Sequence, residues 1–227
     1  MSDFGKAPNG EVVKKFKLTN SNGLSMEVIN YGAIITNLNV PDSSGSLKDV
    51  VLGFNDFNNY YENNPYFGAI IGRYGNRISN GTFLLDGVRY ELEQNNGTNS
   101  LHGGLVGFDK VFWKFIEEKS SNQSLYFEYY SKDMEGGFPG NLVVGVEYIL
   151  NDSNELKIKY TASTDKKTII NLTQHSYFNL SGESSGDILD HILNIDAEYY
   201  LPVNENMIPY GPYAVSYTHL RAHETLE

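Results

Sequence analysis

The strongest constraint on this chain is a hydrophobic period of two residues, which is the side-chain period of a β-strand. Apolar residues occupy alternate positions from Leu142 to Leu150, and the pattern resumes from Leu156 to Ala162 after a polar turn at 151–154. Successive side chains of a strand point to opposite faces. The two runs therefore predict a hairpin with one buried face.

The same reading extends along the chain, where aromatic and β-branched runs are separated by Asn and Gly, the residues that favour turns. Asp86-Gly87 predicts a two-residue turn between strands at 82–85 and 88–92. Further strands are predicted at 16–19, 24–29, 34–40, 50–53, 111–117, 125–130 and 192–195. A single short helix is predicted within 56–66. The sequence predicts an all-β fold, a large antiparallel β-sandwich.

Composition excludes several classes of function. The 227 residues carry 17 Lys and Arg against 28 Asp and Glu, a net charge of −11, which disfavours nucleic acid and anionic membranes as partners. The absence of cysteine excludes disulfides, thiolate catalysis and Cys-ligated zinc. No apolar signal segment opens the chain, and no run of about 18 apolar residues occurs. We predict a cytoplasmic protein.

A first polar cluster, at 72–78, places Arg73, Asn76 and Arg77 beside two glycines. Arginine supplies several fixed donors, and asparagine supplies both a donor and an acceptor. This set suits the hydroxyls of a sugar. On composition alone, a solvated turn with charged side chains is the favoured interpretation of the same residues.

Two further clusters contain histidines. His102 precedes two glycines in the polar loop at 95–104, where a ligand can approach the backbone closely, or where the histidine has no role. Gln174, His175 and Ser176 follow an apolar run, and polar groups there need hydrogen-bond partners or a cavity. A core histidine with satisfied hydrogen bonds is the alternative. Signatures of nucleotide cofactors and of the α/β-hydrolase nucleophile elbow are missing.

Taken together, the segments 67–78, 95–104, 173–182 and 200–209 resemble, in the same order, the aldose 1-epimerase (galactose mutarotase) family. The resemblance covers about residues 10 to 209. It implies a galactose mutarotase-like sandwich that interconverts the α- and β-anomers of free aldohexoses such as galactose and glucose. It also implies that the protein needs no cofactor and no metal.

The resemblance also implies roles for individual residues. His175 is expected to protonate the ring oxygen of the sugar, and His102 is expected to bind near that oxygen. Asn76 and Arg77 are expected to hold sugar hydroxyls. Three more residues are expected to assist or to line the pocket: Arg73, Ser176 and Tyr177. Imidazole suits acid–base work because it titrates at about 6.5 unaided.

The resemblance stops near Pro209, before the positions of the family's general-base Glu and of an Asp that binds substrate. We therefore expect an incomplete sandwich at 1–209 without its C-terminal strands, and an unrelated tail at 210–227, disordered or artefactual. Two other functions fit the same clusters: a hexose-6-phosphate 1-epimerase and a non-catalytic sugar-binding fragment. The expected partner is a small aldohexose, and the expected state is a monomer or weak homodimer.

Overall fold

A computed structural model describes residues 1–62, 64–211, 214–215 and 219–221, the last two ranges as backbone only. Most of the regular structure in these ranges is extended. The strands are β1 (Ser2–Lys6), β2 (Val12–Thr19), β3 (Ser25–Ile29), β4 (Ile35–Pro41), β5 (Leu47–Asp49), β6 (Ile70–Ile71), β7 (Arg77–Ile78), β8 (Thr82–Leu85), β9 (Val88–Glu91), β10 (Ser100–Leu101), β11 (Lys114–Phe115), β12 (Ser124–Ser131), β13 (Leu142–Leu150), β14 (Leu156–Thr164), β15 (Thr173–Gln174), β16 (Ile192–Asn194), β17 (Tyr199–Tyr200), β18 (Ala214–Val215) and β19 (His219–Arg221). The helical segments are α1 (Phe57–Glu62) and 3₁₀ turns at Ser79–Gly81, Phe108–Lys110, Glu117–Lys119 and Glu135–Gly137.

Two antiparallel sheets pack face to face. One sheet has the order β1-β2-β3-β4-β5, and the other has the order β11-β12-β13-β14. Their facing side chains form one buried cluster, in which the ring of Phe16 from the first sheet lies 5.2 Å from that of Phe127 in the second. The predicted β-sandwich is confirmed.

The predicted periodicity matches the burial of β13. Leu142, Val144, Val146, Tyr148 and Leu150 are all buried, and β13 pairs with β14 through the predicted hairpin. The apolar side chains of β14 are at most half-buried, because β14 lies at the edge of its sheet.

The second predicted hairpin and the predicted helix are also confirmed. Asp86 and Gly87 have φ values of 51° and 79°, which is the conformation that a tight turn between β8 and β9 requires. The helix α1 begins after Asp56, whose carboxylate accepts a hydrogen bond from the backbone N–H of Asn59 at 3.1 Å and so caps the first turn. The helix buries Phe57 and Tyr60 in a second apolar cluster, which includes Val13 of β2 and Ile29 of β3 on the face of the first sheet opposite the sandwich core.

Two strand predictions are wrong in extent. The segment 50–53 is not a regular strand. Its amide groups bond outside any ladder, that of Val50 to Leu38 and that of Leu52 to Tyr177. Of the predicted strand at 111–117, only β11 is regular. Val50, Val51 and Trp113 in these segments are nevertheless buried, by tertiary contacts without a long ladder.

Most of the predicted tail at 210–227 lies outside the described residues. The backbone of β18 pairs with β17, and that of β19 pairs with β16. No helix in the described ranges has the length and apolar character needed to cross a membrane.

A single buried hydroxyl links the two sheets. Tyr148 of β13 is fully buried, and its Oη donates a hydrogen bond to the carbonyl of Ala33, between β3 and β4, at 2.6 Å. Tyr148→Phe leaves that carbonyl without this donor, which should lower the free energy of unfolding by about 1–3 kcal/mol. Urea unfolding followed by tryptophan fluorescence measures the change.

Tyr130→Phe is the matched control. Tyr130 lies in β12, is 53% exposed and donates to the side chain of Asn141 at 2.9 Å. Removing an exposed hydroxyl should change stability by less than about 0.5 kcal/mol. Equal effects of the two variants would show that the bond to Ala33 does not connect the sheets energetically.

Candidate active site

Two short ladders bring the three polar clusters together. In the first, β7 pairs with β10 so that Arg77 lies opposite Leu101. In the second, β6 pairs with β15, immediately before His175. Asn76 and His102 flank the first ladder on the same side, because the strands are antiparallel. Residues from three distant parts of the chain therefore meet at the ends of these strands.

Asn76 and His102 hold each other through two hydrogen bonds. The backbone N–H of His102 donates to the carbonyl of Asn76 at 3.1 Å, and the backbone N–H of Asn76 donates to Nδ1 of His102 at 3.0 Å. Both residues have positive φ, 65° and 56°. Such strained conformations in residues other than glycine cluster at functional sites.

The bond to Nδ1 also decides the protonation of His102. An Nδ1 that accepts a hydrogen bond carries no proton, so the neutral ring has its proton on Nε2. Burial, and to a lesser extent the nearby charges of His175, Arg77 and Lys110, lower the pKa of His102 to about 4. At neutral pH His102 is therefore an uncharged hydrogen-bond donor through Nε2.

Aromatic rings surround the second histidine. The ring of His175 lies 5.2 Å from that of His102, nearly perpendicular to it, and 5.0 Å from that of Tyr177. Tyr66 contacts both histidines, at 4.7 Å from His102 and 5.6 Å from His175. Neither ring nitrogen of His175 bonds to another described residue, and the side chain is half-buried. Both nitrogens are thus available to a ligand.

Arg77 completes this group of donors. Its Nε donates to Oδ1 of Asn96 at 2.9 Å, and its Nη1 donates to Oδ1 of Asn76 at 3.1 Å. Among the described residues, Nη2 of Arg77 and Nδ2 of Asn76 have no acceptor. Free N–H groups of a guanidinium and an amide are suited to the hydroxyl oxygens of a sugar.

Comparison with known proteins identifies the family. The family model described as aldose 1-epimerase matches residues 14–222. The chain belongs to the aldose 1-epimerase family. It is 47% identical over 214 residues to a galactose mutarotase from Sus scrofa, a match that covers 94% of this chain and 61% of the relative. A galactose mutarotase from Homo sapiens is also 47% identical, over 93% of this chain and 60% of its own.

A solved structure agrees with this assignment. The crystal structure of an aldose epimerase homologue from C. elegans superposes with a TM-score of 0.88 at 28% identity, over 95% of this chain and 67% of the homologue. The chain spans about three fifths of the length of the curated relatives described above. Among the side chains that the structure describes, no three His, Asp or Glu lie together as they would around a metal ion.

Five of the residues predicted for a site in this family lie together, and two do not. Arg73 is the first exception, because it is buried with 2% of its surface exposed. Its Nη1 donates to the carbonyls of Pro139 and Gly140, and its Nη2 donates to Ser131 and to the carbonyl of Lys132. The guanidinium ties the segment 131–140 to the core. The prediction that Arg73 binds sugar is corrected to a structural role.

Ser176 is the second exception. Its Oγ accepts a hydrogen bond from Nε2 of Gln174 at 2.8 Å, and its backbone N–H donates to Oε1 of the same residue at 2.9 Å. The side chains of Gln174 and Ser176 therefore share one face of the segment, while the rings of His175 and Tyr177 meet on the other. The expectation that Ser176 lines the pocket is corrected for this reason.

Gly103, directly after His102, is required by close packing of the backbone. Gly103 has a φ of +94°, and a Cβ there would collide with the carbonyl of Gly72. The glycines were predicted to allow the approach of a ligand, but the close approach in the structure is between the first and second polar clusters. Gly103 thus lets the loop of His102 pack directly onto the loop of Arg73.

Sequence reasoning missed Tyr66 and did not single out Asn96. Tyr66 has a φ of 67° and reaches the histidines by this unusual turn, which no local pattern predicts. Asn96 lies in the second cluster, but its bond to Arg77 spans 19 positions of the chain. The recurrence of Asn beside Gly in that cluster was the one available signal.

The same substitution should lower the stability of the protein far more at Arg73 than at Arg77. Arg73→Met removes a buried cation beside Glu135 and leaves the acceptors of Pro139, Gly140 and Ser131 without their donor, so it should lower the free energy of unfolding by about 3–5 kcal/mol. Arg77→Met, the matched control, should cost about 1 kcal/mol or less. Chemical denaturation measures both. A stable Arg73→Met variant would contradict the structural role.

The protonation of His102 predicts a pH effect on stability. Its pKa is lowered to about 4, whereas free imidazole titrates at about 6.5, so between these values the unfolded chain binds a proton that the folded chain does not. Stability should fall as the pH decreases through this window. His102→Asn should reduce this slope, as measured by urea unfolding at several pH values.

NMR of the imidazole nitrogens tests the same assignment directly. We expect the His102 ring to keep its proton on Nε2 and to stay neutral down to about pH 4. A proton on Nδ1, or a titration midpoint near 6.5, would contradict it.

Proposed function

We propose that this chain is an aldose 1-epimerase that interconverts the α- and β-anomers of free aldohexoses such as galactose and glucose. The observation that carries the proposal is the asymmetric histidine pair. Nδ1 of His102 is occupied by the backbone N–H of Asn76, whereas His175, whose ring centre lies 5.2 Å from that of His102, has both ring nitrogens free among the described residues. The relatives from pig and human are galactose mutarotases, which supports a free aldohexose as the substrate.

Opening a pyranose ring requires two proton transfers. An acid must protonate the ring oxygen as its bond to C1 breaks, and a base must remove the proton from the C1 hydroxyl as the C1 carbonyl forms. The aldehyde then rotates about the C1–C2 bond and closes on the other face, with both transfers reversed. A side chain that gains and loses a proton near neutral pH is suited to the first step.

The surroundings of the two histidines assign their roles. Nδ1 of His102 accepts a hydrogen bond from the backbone N–H of Asn76, and the low pKa of His102 keeps its ring neutral. His102 therefore donates a hydrogen bond from Nε2 without transferring a proton. Both ring nitrogens of His175 are free of partners among the described residues, and we assign to this side chain the proton transfer to the ring oxygen. The neutral ring of His102 lies beside His175 and donates a hydrogen bond to the same ring oxygen of the sugar. Because His102 is uncharged, it does not repel a protonated His175.

The remaining groups bind the rest of the sugar. Nδ2 of Asn76 and Nη2 of Arg77 donate to hydroxyl oxygens, since their other polar atoms already hold the site together. The rings of Tyr66 and Tyr177, on either side of His175, pack against the apolar face of the sugar. No carboxylate among the described residues bonds to these groups, so we assign to them the acid and the binding roles only.

His175→Asn tests the proposal. Asparagine keeps a polar side chain but transfers no proton near neutral pH, so the rate above spontaneous mutarotation should fall by about 10²-fold or more. Polarimetry of freshly dissolved α-D-galactose measures this rate. His191→Asn is the matched control, because His191 bonds to the backbone of Leu180 and lies outside the aromatic cluster.

Two outcomes would contradict the assignment. A loss of less than about fivefold in His175→Asn would remove His175 as the acid. Tight galactose binding by the unmodified protein without any turnover would favour a non-catalytic sugar-binding module, and faster turnover of galactose 6-phosphate would favour a hexose-6-phosphate 1-epimerase. The cytoplasmic location and the monomeric or weakly dimeric state stay predictions.

Arg77→Met should weaken sugar binding more than it affects the fold. A lost hydrogen bond from a charged donor costs about 1.5–3 kcal/mol, which corresponds to roughly 10- to 100-fold in affinity. Isothermal titration with galactose measures this loss. Unchanged affinity in a correctly folded variant would remove Arg77 from the sugar site.

A further inference from the structure

Two neighbouring asparagines, Asn95 and Asn96, bond to two different parts of the site: the loop of His102 and the guanidinium of Arg77. Asn95 donates through Nδ2 to the carbonyls of Leu101 and Gly104, both at 2.9 Å, and accepts through Oδ1 from the backbone N–H of Leu101 at 2.7 Å. These three hydrogen bonds fix the loop at 101–104 on both sides of His102. The side chain of Asn95 therefore holds the segment that carries one sugar donor.

Asn96 holds the other donor. Its Oδ1 accepts from Nε of Arg77 at 2.9 Å, and its backbone exchanges two hydrogen bonds with Asn99, at 3.1 and 3.0 Å. Oδ1 of Asn99 in turn accepts from the backbone N–H of Asn80 at 3.1 Å. The turn at 96–99 is thereby fixed to the segment that follows β7. Arg77 meets an acceptor whose own position is set by the backbone.

We infer that Asn95 and Asn96 are positioning residues that set the distance between His102 and Arg77. Adjacent residues of an extended segment point to opposite sides, so one dipeptide reaches the His102 loop with its first amide and the Arg77 guanidinium with its second. The inference rests on the proposed function, in which these two side chains bind one sugar. Neither asparagine contacts the sugar itself.

The two amides use different atoms, and this difference makes the inference testable. Asn96 uses only Oδ1 among the described residues, and an aspartate retains that acceptor. Asn95 uses Nδ2 as well, and an aspartate at 95 would place a carboxylate oxygen against the carbonyls of Leu101 and Gly104. Asn→Asp is therefore tolerated at 96 and damaging at 95.

The experiment compares galactose KM and kcat in five variants: Asn96→Ala, Asn96→Asp, Asn95→Ala, Asn95→Asp and Thr98→Ala. Thr98 is exposed at the tip of the same turn and is the matched control. We expect Asn96→Ala to raise KM about tenfold, equivalent to one lost hydrogen bond, with kcat changed less than about twofold. Asn96→Asp should stay within about threefold of the unmodified protein, as should Thr98→Ala.

A second measurement does not depend on activity. Hydrogen exchange of the Arg77 Nε–H, followed by NMR, should accelerate in Asn96→Ala and remain slow in Asn96→Asp. The imidazole nitrogen signals of His102 should change in Asn95→Ala and Asn95→Asp, while Asn96→Ala leaves them in place. These signals decide the role of Asn95 even where its variants lose stability.

Two results would overturn the inference. One is a KM for Asn96→Ala equal to that of the unmodified protein, and the other is unchanged exchange of the Arg77 Nε–H in that variant. Failure of the unmodified protein to bind or turn over galactose would instead overturn the proposed function. The NMR signals of Arg77 and His102 would then decide by themselves whether the two asparagines hold these side chains.

Discussion

The site depends on the paired hydrogen bonds between Asn76 and His102. They close the end of the β7–β10 ladder and require positive φ at both residues. They also occupy Nδ1 of His102, which makes this histidine a donor through Nε2; in the proposed mechanism, proton transfer then falls to His175. One local contact thus determines both the backbone geometry at these residues and the tautomer of His102.

The β-sandwich supplies the rigidity that such a contact needs. A strained loop persists only where its surroundings over-determine it. Here Asn95 grips the His102 loop, Gly103 packs against the loop of Arg73, and the Arg73 guanidinium joins that loop to the segment 131–140. These contacts join the loops of the candidate site to one another and to the segment 131–140.

The sequence predicted the fold class well, because period two and tight-turn chemistry are local signals. The hairpin of β13 and β14 and the Asp86-Gly87 turn were predicted from neighbouring residues alone. The irregular crossing at 50–53 was mispredicted as a strand, because burial by tertiary contacts leaves the same apolar pattern as a ladder. Arg73 and Arg77 show the same limit in the site: they lie four positions apart in one polar motif, yet one is buried and the other is half-exposed.

What separates these two arginines is the direction in which the chain turns between them. Arg73 precedes the segment that bridges to Asn171 and points its guanidinium into the core, while Arg77 lies in β7 opposite Leu101. Positive φ at Asn76 redirects the chain between the two positions. The two arginines of one motif therefore have different surroundings: Arg73 is a buried structural anchor, and Arg77 bonds to Asn76 and Asn96 in the candidate site. In this chain the motif is a turn with the candidate site on one side and a structural anchor on the other.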